Sequence, residues 1–238
     1  MILQHPKTNL MKKNGNGENM TVLFDLDGTL LDTAPDFISV VNELHQEQGS
    51  AHVDPSFIRS AVSHGVKELL QVSFGVTPEE PHYDSLRQQL LSRYEQSYTR
   101  FVKPFPGIPE LLSALEAKGI AWGVVTNRPS QSTEAILTYL GLRQRAACVV
   151  SGDTTPNPKP HPDPLFYACE LLDVPANSCI YVGDAERDIQ AGKAAGMATI
   201  GVLFGYIPDI SSALKWGADH YVHHADEILP WALSWLKR

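Results

Sequence analysis

The feature that most constrains this chain is a repeated design in which a short apolar run is followed by a stretch with helical spacing. Thr21-Val22-Leu23-Phe24 leads into Asp25-Leu26-Asp27-Gly28-Thr29, the run 121–125 into Thr126-Asn127, and Ile180-Tyr181-Val182 into Gly183-Asp184. The runs 147–150 and 198–203 follow the same plan, and Tyr221-Val222 is a weaker sixth. Parallel strands covered on both faces read as continuous apolar runs, whereas a half-exposed strand alternates. Helical patterns at 108–117, 132–140, 164–172 and 188–195 lie between the runs. That order predicts an α/β fold, a doubly wound parallel sheet with crossover helices.

One interval breaks the rhythm. The first strand has ended by Asp27 and the second begins only near residue 120, far more chain than a crossover of roughly 10–12 residues needs. The excess carries helical spacings, Phe37, Val40, Val41 and Leu44, then Leu86, Leu90, Leu91, Tyr94 and Tyr98, with no convincing strand among them. It predicts a helical cap over 36–103, inserted into a core of 21–35 and 104–238. The exit, Lys103-Pro104-Phe105-Pro106-Gly107, reads as a linker or hinge. Residues 1–20 have no helical or strand period and read as a flexible tail; Asn14-Gly15-Asn16-Gly17 follows no strand and lacks the ending of a phosphate-binding loop.

Composition narrows the partners. The chain has 238 residues, 43% of them hydrophobic, enough to bury a core, and its 19 basic against 27 acidic residues give a net charge of −8. Such a surface repels a phosphate backbone, so no nucleic-acid partner is expected. Cys148, Cys169 and Cys179 form no CxxC pair and sit among apolar residues, which predicts small core residues rather than disulfides or a zinc site. No apolar run approaches the ~18 residues of a membrane span, and the first twenty residues lack a signal peptide's apolar stretch, so a cytoplasmic protein without a membrane partner is expected. His220, His223 and His224 read as a solvated cluster.

In an open parallel sheet, ligands bind at the carboxyl ends of the strands, a rule that gathers Asp25, Asp27, Thr126, Asn127 and Asp184 from three runs. Carboxylates two residues apart at a strand end repel unless a cation lies between them. Oxygen ligands from Asp25 and Asp184 with a backbone carbonyl suit a hard ion, Mg²⁺ rather than zinc, with Asp188 one helical turn on supporting it. Lys159, between Pro158 and Pro160, is the fixed cation that an anionic phosphate requires, and Gly28 gives the backbone room to turn.

The string Asp25-Leu26-Asp27-Gly28-Thr29-Leu30-Leu31-Asp32-Thr33 resembles the first motif of the haloacid dehalogenase superfamily. Val124-Val125-Thr126-Asn127 resembles its second, Lys159-Pro160 its third and Gly183-Asp184-Ala185-Glu186-Arg187-Asp188 its fourth. The resemblance runs from Thr21 onward and is nearest to the phosphoglycolate phosphatase branch; 31–37, 122–127 and Trp216-Gly217-Ala218-Asp219 are also similar to enzymes acting on N-acetylmuramic acid 6-phosphate. It implies Asp25 as nucleophile, through an aspartyl-phosphate, and Asp27 as acid and base, with Mg²⁺ on Asp25, Asp184 and the Asp27 carbonyl. Thr126, the amide of Asn127 and Lys159 would hold the phosphoryl group, while Asp32 and Thr33 shape the turn toward the cap. In the cap, Ser63-His64-Gly65 is the loop expected to reach the site, with His64 and Gly65 as substrate contacts. The implied function is a phosphomonoesterase for a small-molecule phosphate ester, led by 2-phosphoglycolate and acting as a monomer or homodimer. N-acetylmuramic acid 6-phosphate hydrolysis, a sugar phosphomutase and a noncatalytic phosphometabolite sensor are the alternatives; Asp27 argues against a dehalogenase.

Overall fold

A computed structural model describes residues 20–236. The tail expected over 1–20 lies, apart from Met20, outside the described residues.

The chain opens with β1 (Thr21–Phe24), whose four residues are all buried. The dipeptide β2 (Leu31–Asp32) leads into four helices, α1 (Ala34–Glu47), α2 (Pro55–Val62), α3 (Val66–Phe74) and α4 (Tyr83–Ser97), before β3 (Lys103–Pro104) returns the chain to the core. From there helices and strands alternate: α5 (Ile108–Ala117), β4 (Ala121–Val125), α6 (Ser130–Tyr139), β5 (Val149–Val150), α7 (Asp163–Leu172), β6 (Cys179–Gly183), α8 (Glu186–Ala194) and β7 (Ala198–Val202). A short α9 (Ile210–Ala213), β8 (His220–Val222) and α10 (Ile228–Trp235) complete it.

Six strands form one parallel sheet in the order β5-β4-β1-β6-β7-β8. The chain winds outward from β1 in one direction and then, from β6, in the other, so the winding reverses beside β1 and opens a crevice at its carboxyl end. Period-two alternation divides each strand between two cores. Val22, Phe24, Ile180 and Val182 pack with Leu112, Leu115 and Ile228 on one face. Leu23, Cys179 and Tyr181 pack with Leu165, Ala168 and Ala191 on the other. Helices cover both faces, which is why the runs are apolar throughout.

The four inserted helices bury their own apolar cluster, in which Phe37, Val41 and Leu44 of α1 meet Ile58, Leu69, Leu70, Leu86, Leu90 and Tyr94. At their junction with the core the sequence suggested a linker without strands. Instead β2 and β3 pair antiparallel, Leu31 with Pro104 and Asp32 with Lys103, clasping the outgoing and returning chains together. Two-residue strands carry no readable period, so only the pairing reveals them. Two helices start earlier than their apolar spacing suggests, each for a polar reason. Ser130 anchors α6 by donating its amide and hydroxyl to Asp153, at 3.0 and 2.9 Å, and Asp188 Oδ2 accepts the Ala185 amide ahead of α8 at 3.0 Å.

All three cysteines are buried and unbridged. Asp219 Oδ2 accepts from both the amide and the hydroxyl of Thr199 at 2.8 Å, so the Trp216-to-Asp219 motif ties the segment before β8 to β7. Among the described residues no helix is long and apolar enough to cross a membrane.

Candidate active site

The sheet ladder delivers the polar residues directly. The Asp25 amide donates to Val182 O and the Thr126 amide to Val150 O, both at 2.9 Å, which extends β1 and β4 by one residue into the crevice. Beyond Asp25 the chain turns tightly, with the amides of Leu30 and Leu31 both reaching back to Leu26 O. Gly28 sits in this turn at φ +84°, and a Cβ there would overlap the Asp184 carboxylate. Positive φ and close approach together exclude any side chain at that position. Gly183 has the second kind of constraint, since a Cβ on it would overlap Asp188.

Lys159 organises the centre. Its ammonium, fully buried, lies 2.8 Å from Asp25 Oδ1 and 2.8 Å from Asp188 Oδ1. It also donates to Val125 O at 2.9 Å and meets the Tyr181 hydroxyl at 2.7 Å. The lysine's backbone is fixed by Asn127, whose Oδ1 accepts from Lys159 N at 3.0 Å and whose Nδ2 donates to Lys159 O at 2.9 Å. A buried ammonium with this many oxygen partners is an oriented charge rather than a floppy surface one.

Asp184 lies across from this pair. Its Oδ2 accepts the Tyr206 amide at 2.9 Å and its Oδ1 the Thr29 hydroxyl at 3.3 Å. One oxygen each of Asp25, Asp184 and Asp188 fall within 4.8 Å of one another, all three residues being buried, so these carboxylates could hold a metal ion. Burial, reinforced by the nearby charges of Asp25 and Asp188, pushes the Asp184 carboxyl up to about 7. Burial also raises Asp25, against the pull of Lys159. Burial and mutual repulsion thus oppose ionisation of these crowded carboxylates, which a positive charge between them would relieve, and the all-oxygen donor set fits a hard divalent ion.

Asp27 is partnered differently. Arg128 forks onto it, Nε to Oδ2 at 3.0 Å and Nη2 to Oδ1 at 2.6 Å, and the Thr33 hydroxyl donates to Oδ1 at 2.5 Å. Burial opposes ionisation of Asp27, but the guanidinium and these hydrogen bonds outweigh it and hold its carboxyl below the ordinary range. Arg128 is itself buried, its side chain 6% exposed.

The structure therefore brings together Asp25, Asp27, Gly28, Thr126, Asn127, Lys159, Asp184 and Asp188. The loop Ser63-His64-Gly65 approaches through Ser63, whose hydroxyl lies 3.4 Å from Asp184 Oδ2. His64 is exposed, with Nδ1 3.2 Å from Ser60 O, and Gly65 turns the chain into α3 at φ +85°. Arg128, Tyr94, Tyr206 and Arg59 were missed by sequence reasoning. Arg128 follows Thr126-Asn127 and could have been flagged by the same strand-end rule; Tyr206, four residues past β7, less readily. Its hydroxyl accepts the Thr33 and Ala34 amides at 2.6 and 2.8 Å and donates to Asp32 Oδ1 at 3.0 Å. Arg59 of α2 forks onto that same Asp32 at 2.8 and 3.1 Å, tying the inserted helices to the junction.

Residues 22–202 match the family described as haloacid dehalogenase-like hydrolase. The chain belongs to this family. It is 40% identical over 208 residues to the N-acetylmuramic acid 6-phosphate phosphatase of Pseudomonas aeruginosa, covering 87% of this chain and 92% of that one. It is equally, at 40% over 207 residues, similar to the phosphoglycolate phosphatase of Xanthomonas campestris pv. campestris, covering 87% and 93%. The crystal structure of a predicted phosphoglycolate phosphatase from Haemophilus somnus superposes with a TM-score of 0.77 at 26% identity, covering 89% of this chain and 97% of that one.

Proposed function

We propose that the protein is a Mg²⁺-dependent phosphomonoesterase that takes the phosphoryl group of a small metabolite onto Asp25 and releases it to water. The observation that carries this reading is the buried Lys159 ammonium pinned between Asp25 and Asp188 beside Asp184. A fixed cation next to a carboxylate nucleophile, with a second carboxylate set aside for a metal, is what phosphoryl transfer requires, because that chemistry is positioning and charge neutralisation.

Asp25, Asp184 and the Asp27 carbonyl would hold Mg²⁺, with Asp188 behind them. When bound, the ion would offset charge on the transferring phosphoryl group. Asp25 attacks phosphorus in line, forming one P–O bond as the ester P–O bond breaks, and Asp27 gives its proton to the departing alkoxide. Asp27 then takes a proton from the water that cleaves the aspartyl-phosphate. Thr126 Oγ1 accepts the Arg128 amide at 3.2 Å, which leaves the hydroxyl's hydrogen free to donate to a phosphoryl oxygen. The Asn127 side chain is occupied with Lys159, so Asn127 contributes its backbone amide.

The inserted helices, 36–103, would act as a cap, with Ser63-His64-Gly65 screening what enters. Two substrates have equal support from relatives at 40% identity, 2-phosphoglycolate and N-acetylmuramic acid 6-phosphate. Both are primary alkyl phosphates that also carry a carboxylate. Phosphate release from a panel holding these two, hexose phosphates and nucleoside monophosphates, with Mg²⁺ and with chelator, tests the reading. A metal-dependent preference of roughly a hundredfold in kcat/KM, about 2.7 kcal/mol, identifies the substrate. Phosphate transferred to a sugar instead of water would indicate a mutase. Turnover that survives Asp25→Asn would remove the nucleophile assignment, and metabolite binding without turnover would indicate a sensor.

A further inference from the structure

We propose that Arg128 is a positioning residue for Asp27 and that Tyr94 of the inserted helices completes it, so that proton donation to the leaving group depends on those helices being seated. The juxtaposition is a continuous line, α4 to Tyr94 to Arg128 to Asp27. Arg128 Nη2 donates to the Tyr94 hydroxyl at 2.8 Å as well as to Asp27 Oδ1, and the guanidinium carbon lies 5.4 Å from the centre of the Tyr94 ring. The inference rests on Asp27 being the acid and base.

Each link is held from behind. Tyr94 is buried and stacks on Phe37 of α1, ring centres 3.8 Å apart and 6° from parallel, so its hydroxyl has a fixed direction. The Arg128 backbone is fixed by its own amide on Thr126 Oγ1 and by the Gly152 amide on its carbonyl at 2.9 Å. A planar guanidinium bonding both carboxylate oxygens sets the carboxylate's plane, which a single-point contact from lysine cannot do.

The same geometry selects the working oxygen. Oδ1 of Asp27 receives two donors, Arg128 Nη2 and the Thr33 hydroxyl, whereas Oδ2 receives one, Arg128 Nε at 3.0 Å. Oδ2 therefore keeps acceptor capacity and carries the proton to the leaving oxygen. Thr33 stands at the junction and Tyr94 in the insert, so both flanking contacts change if the helices swing away from the core.

Leaving-group dependence separates positioning from mere structural support. An alkyl ester needs its departing oxygen protonated, whereas p-nitrophenyl phosphate expels an anion that needs no acid. Because kcat/KM reports steps up to leaving-group departure, it isolates that proton transfer. The probes are p-nitrophenyl phosphate and whichever of 2-phosphoglycolate or N-acetylmuramic acid 6-phosphate the unaltered protein hydrolyses. For Arg128→Gln the alkyl kcat/KM should fall roughly 30-fold or more and the aryl value less than about 3-fold, part of the ~10²–10⁴ that general acid catalysis supplies. Arg128→Lys should recover part of the alkyl loss, and Tyr94→Phe should show the same alkyl selectivity at roughly 3- to 10-fold.

Equal losses on both esters, or an alkyl rate that is unchanged or increased, would overturn the proposal. If Arg128→Gln does not fold, Tyr94→Phe at an unchanged melting temperature decides alone. Asp25→Asn run alongside distinguishes the two readings: if it still turns over, or if the unaltered protein hydrolyses no alkyl ester of the panel, the proposed function fails and this inference with it. If it is inactive and the arginine variants show no leaving-group selectivity, only the positioning role is lost.

Discussion

Asp184 makes the metal-free protein's stability depend on pH in an unusual direction. Its carboxyl is raised from 3.8 to about 7 in the fold, mainly by burial and then by Asp25 and Asp188. A raised folded-state value means that folding favours the neutral acid, so this contribution is complete below about pH 4 and is lost as pH rises toward 7. The gap corresponds to about 4 kcal/mol at most, lost at no more than about 1.4 kcal/mol per pH unit. For a chain of this size that is roughly 3–5 °C in Tm per pH unit. Asp27 acts in the other direction, but its depressed value places its loss below pH 4, outside this window. The assay is thermal unfolding in chelator from pH 4.5 to 7.5 for the native chain and for Asp184→Asn; the difference between the curves cancels every group that the two share. The native curve should decline against the variant's. Saturating Mg²⁺ should abolish that decline, and the apparent affinity for Mg²⁺ should weaken by up to about tenfold per pH unit below 7 as a proton competes for the ligand. Parallel curves would refute the reasoning, because Asp184 would then carry no unfavourable charge in the fold.

Three other outcomes follow from the same geometry. Lys159→Met leaves Asp25 and Asp188 buried without their ammonium and should cost about 3–5 kcal/mol, read as a lowered urea midpoint together with lost turnover. Gly28→Ala forces a Cβ into the Asp184 carboxylate at a positive φ, and should abolish Mg²⁺-dependent turnover while circular dichroism shows the sheet intact. Asp219→Ala removes the one oxygen that accepts both the amide and the hydroxyl of Thr199 and should lower stability by about 1–3 kcal/mol with kcat unchanged, which assigns the Trp216-to-Asp219 motif to the scaffold.

The sheet was readable because helices cover both its faces: with Val22 and Leu23 each facing a core, the run must be apolar throughout, and its boundaries in β1 and β4 coincide with the sequence pattern. The strand-end rule then located Asp25, Thr126 and Asp184 without any knowledge of side-chain direction. It stopped short of the partners. Tyr94 sits at an apolar helical position, and periodicity says that such a ring is buried but not that its hydroxyl meets an arginine 34 residues away. Tyr206 reaches Thr33 across 173 residues, a separation no local signal spans. The clasp of β2 and β3 is too short for a period. What the sequence hid was not chemistry but distance, the long-range bonds by which the inserted helices grip the core.

Charge counting around the crevice explains why the grip matters. With all four ionised, Asp25, Asp27, Asp184 and Asp188 bring four negative charges; Lys159, between Asp25 and Asp188, and Arg128, on Asp27, bring two positive ones, and the half-buried Arg187, kept charged against its burial by Asp188, Asp25 and Asp184, makes the sum 3 − 4 = −1. A phosphate dianion approaching such a site meets net repulsion, strengthened by burial. A divalent cation reverses the sign to +1, so metal and ester should bind in favour of one another rather than independently. Lys159 cannot substitute for the metal, since its ammonium is already engaged by Asp25, Asp188, Val125 O and Tyr181. Arg128 is tied as well, its Nε and Nη2 bonded to Asp27 and Nη2 also to Tyr94. Both protein cations hydrogen-bonded in the site therefore also hold a carboxylate in place, and the positive charge still needed to draw in a phosphate dianion would come from an ion on the carboxylates that could hold one.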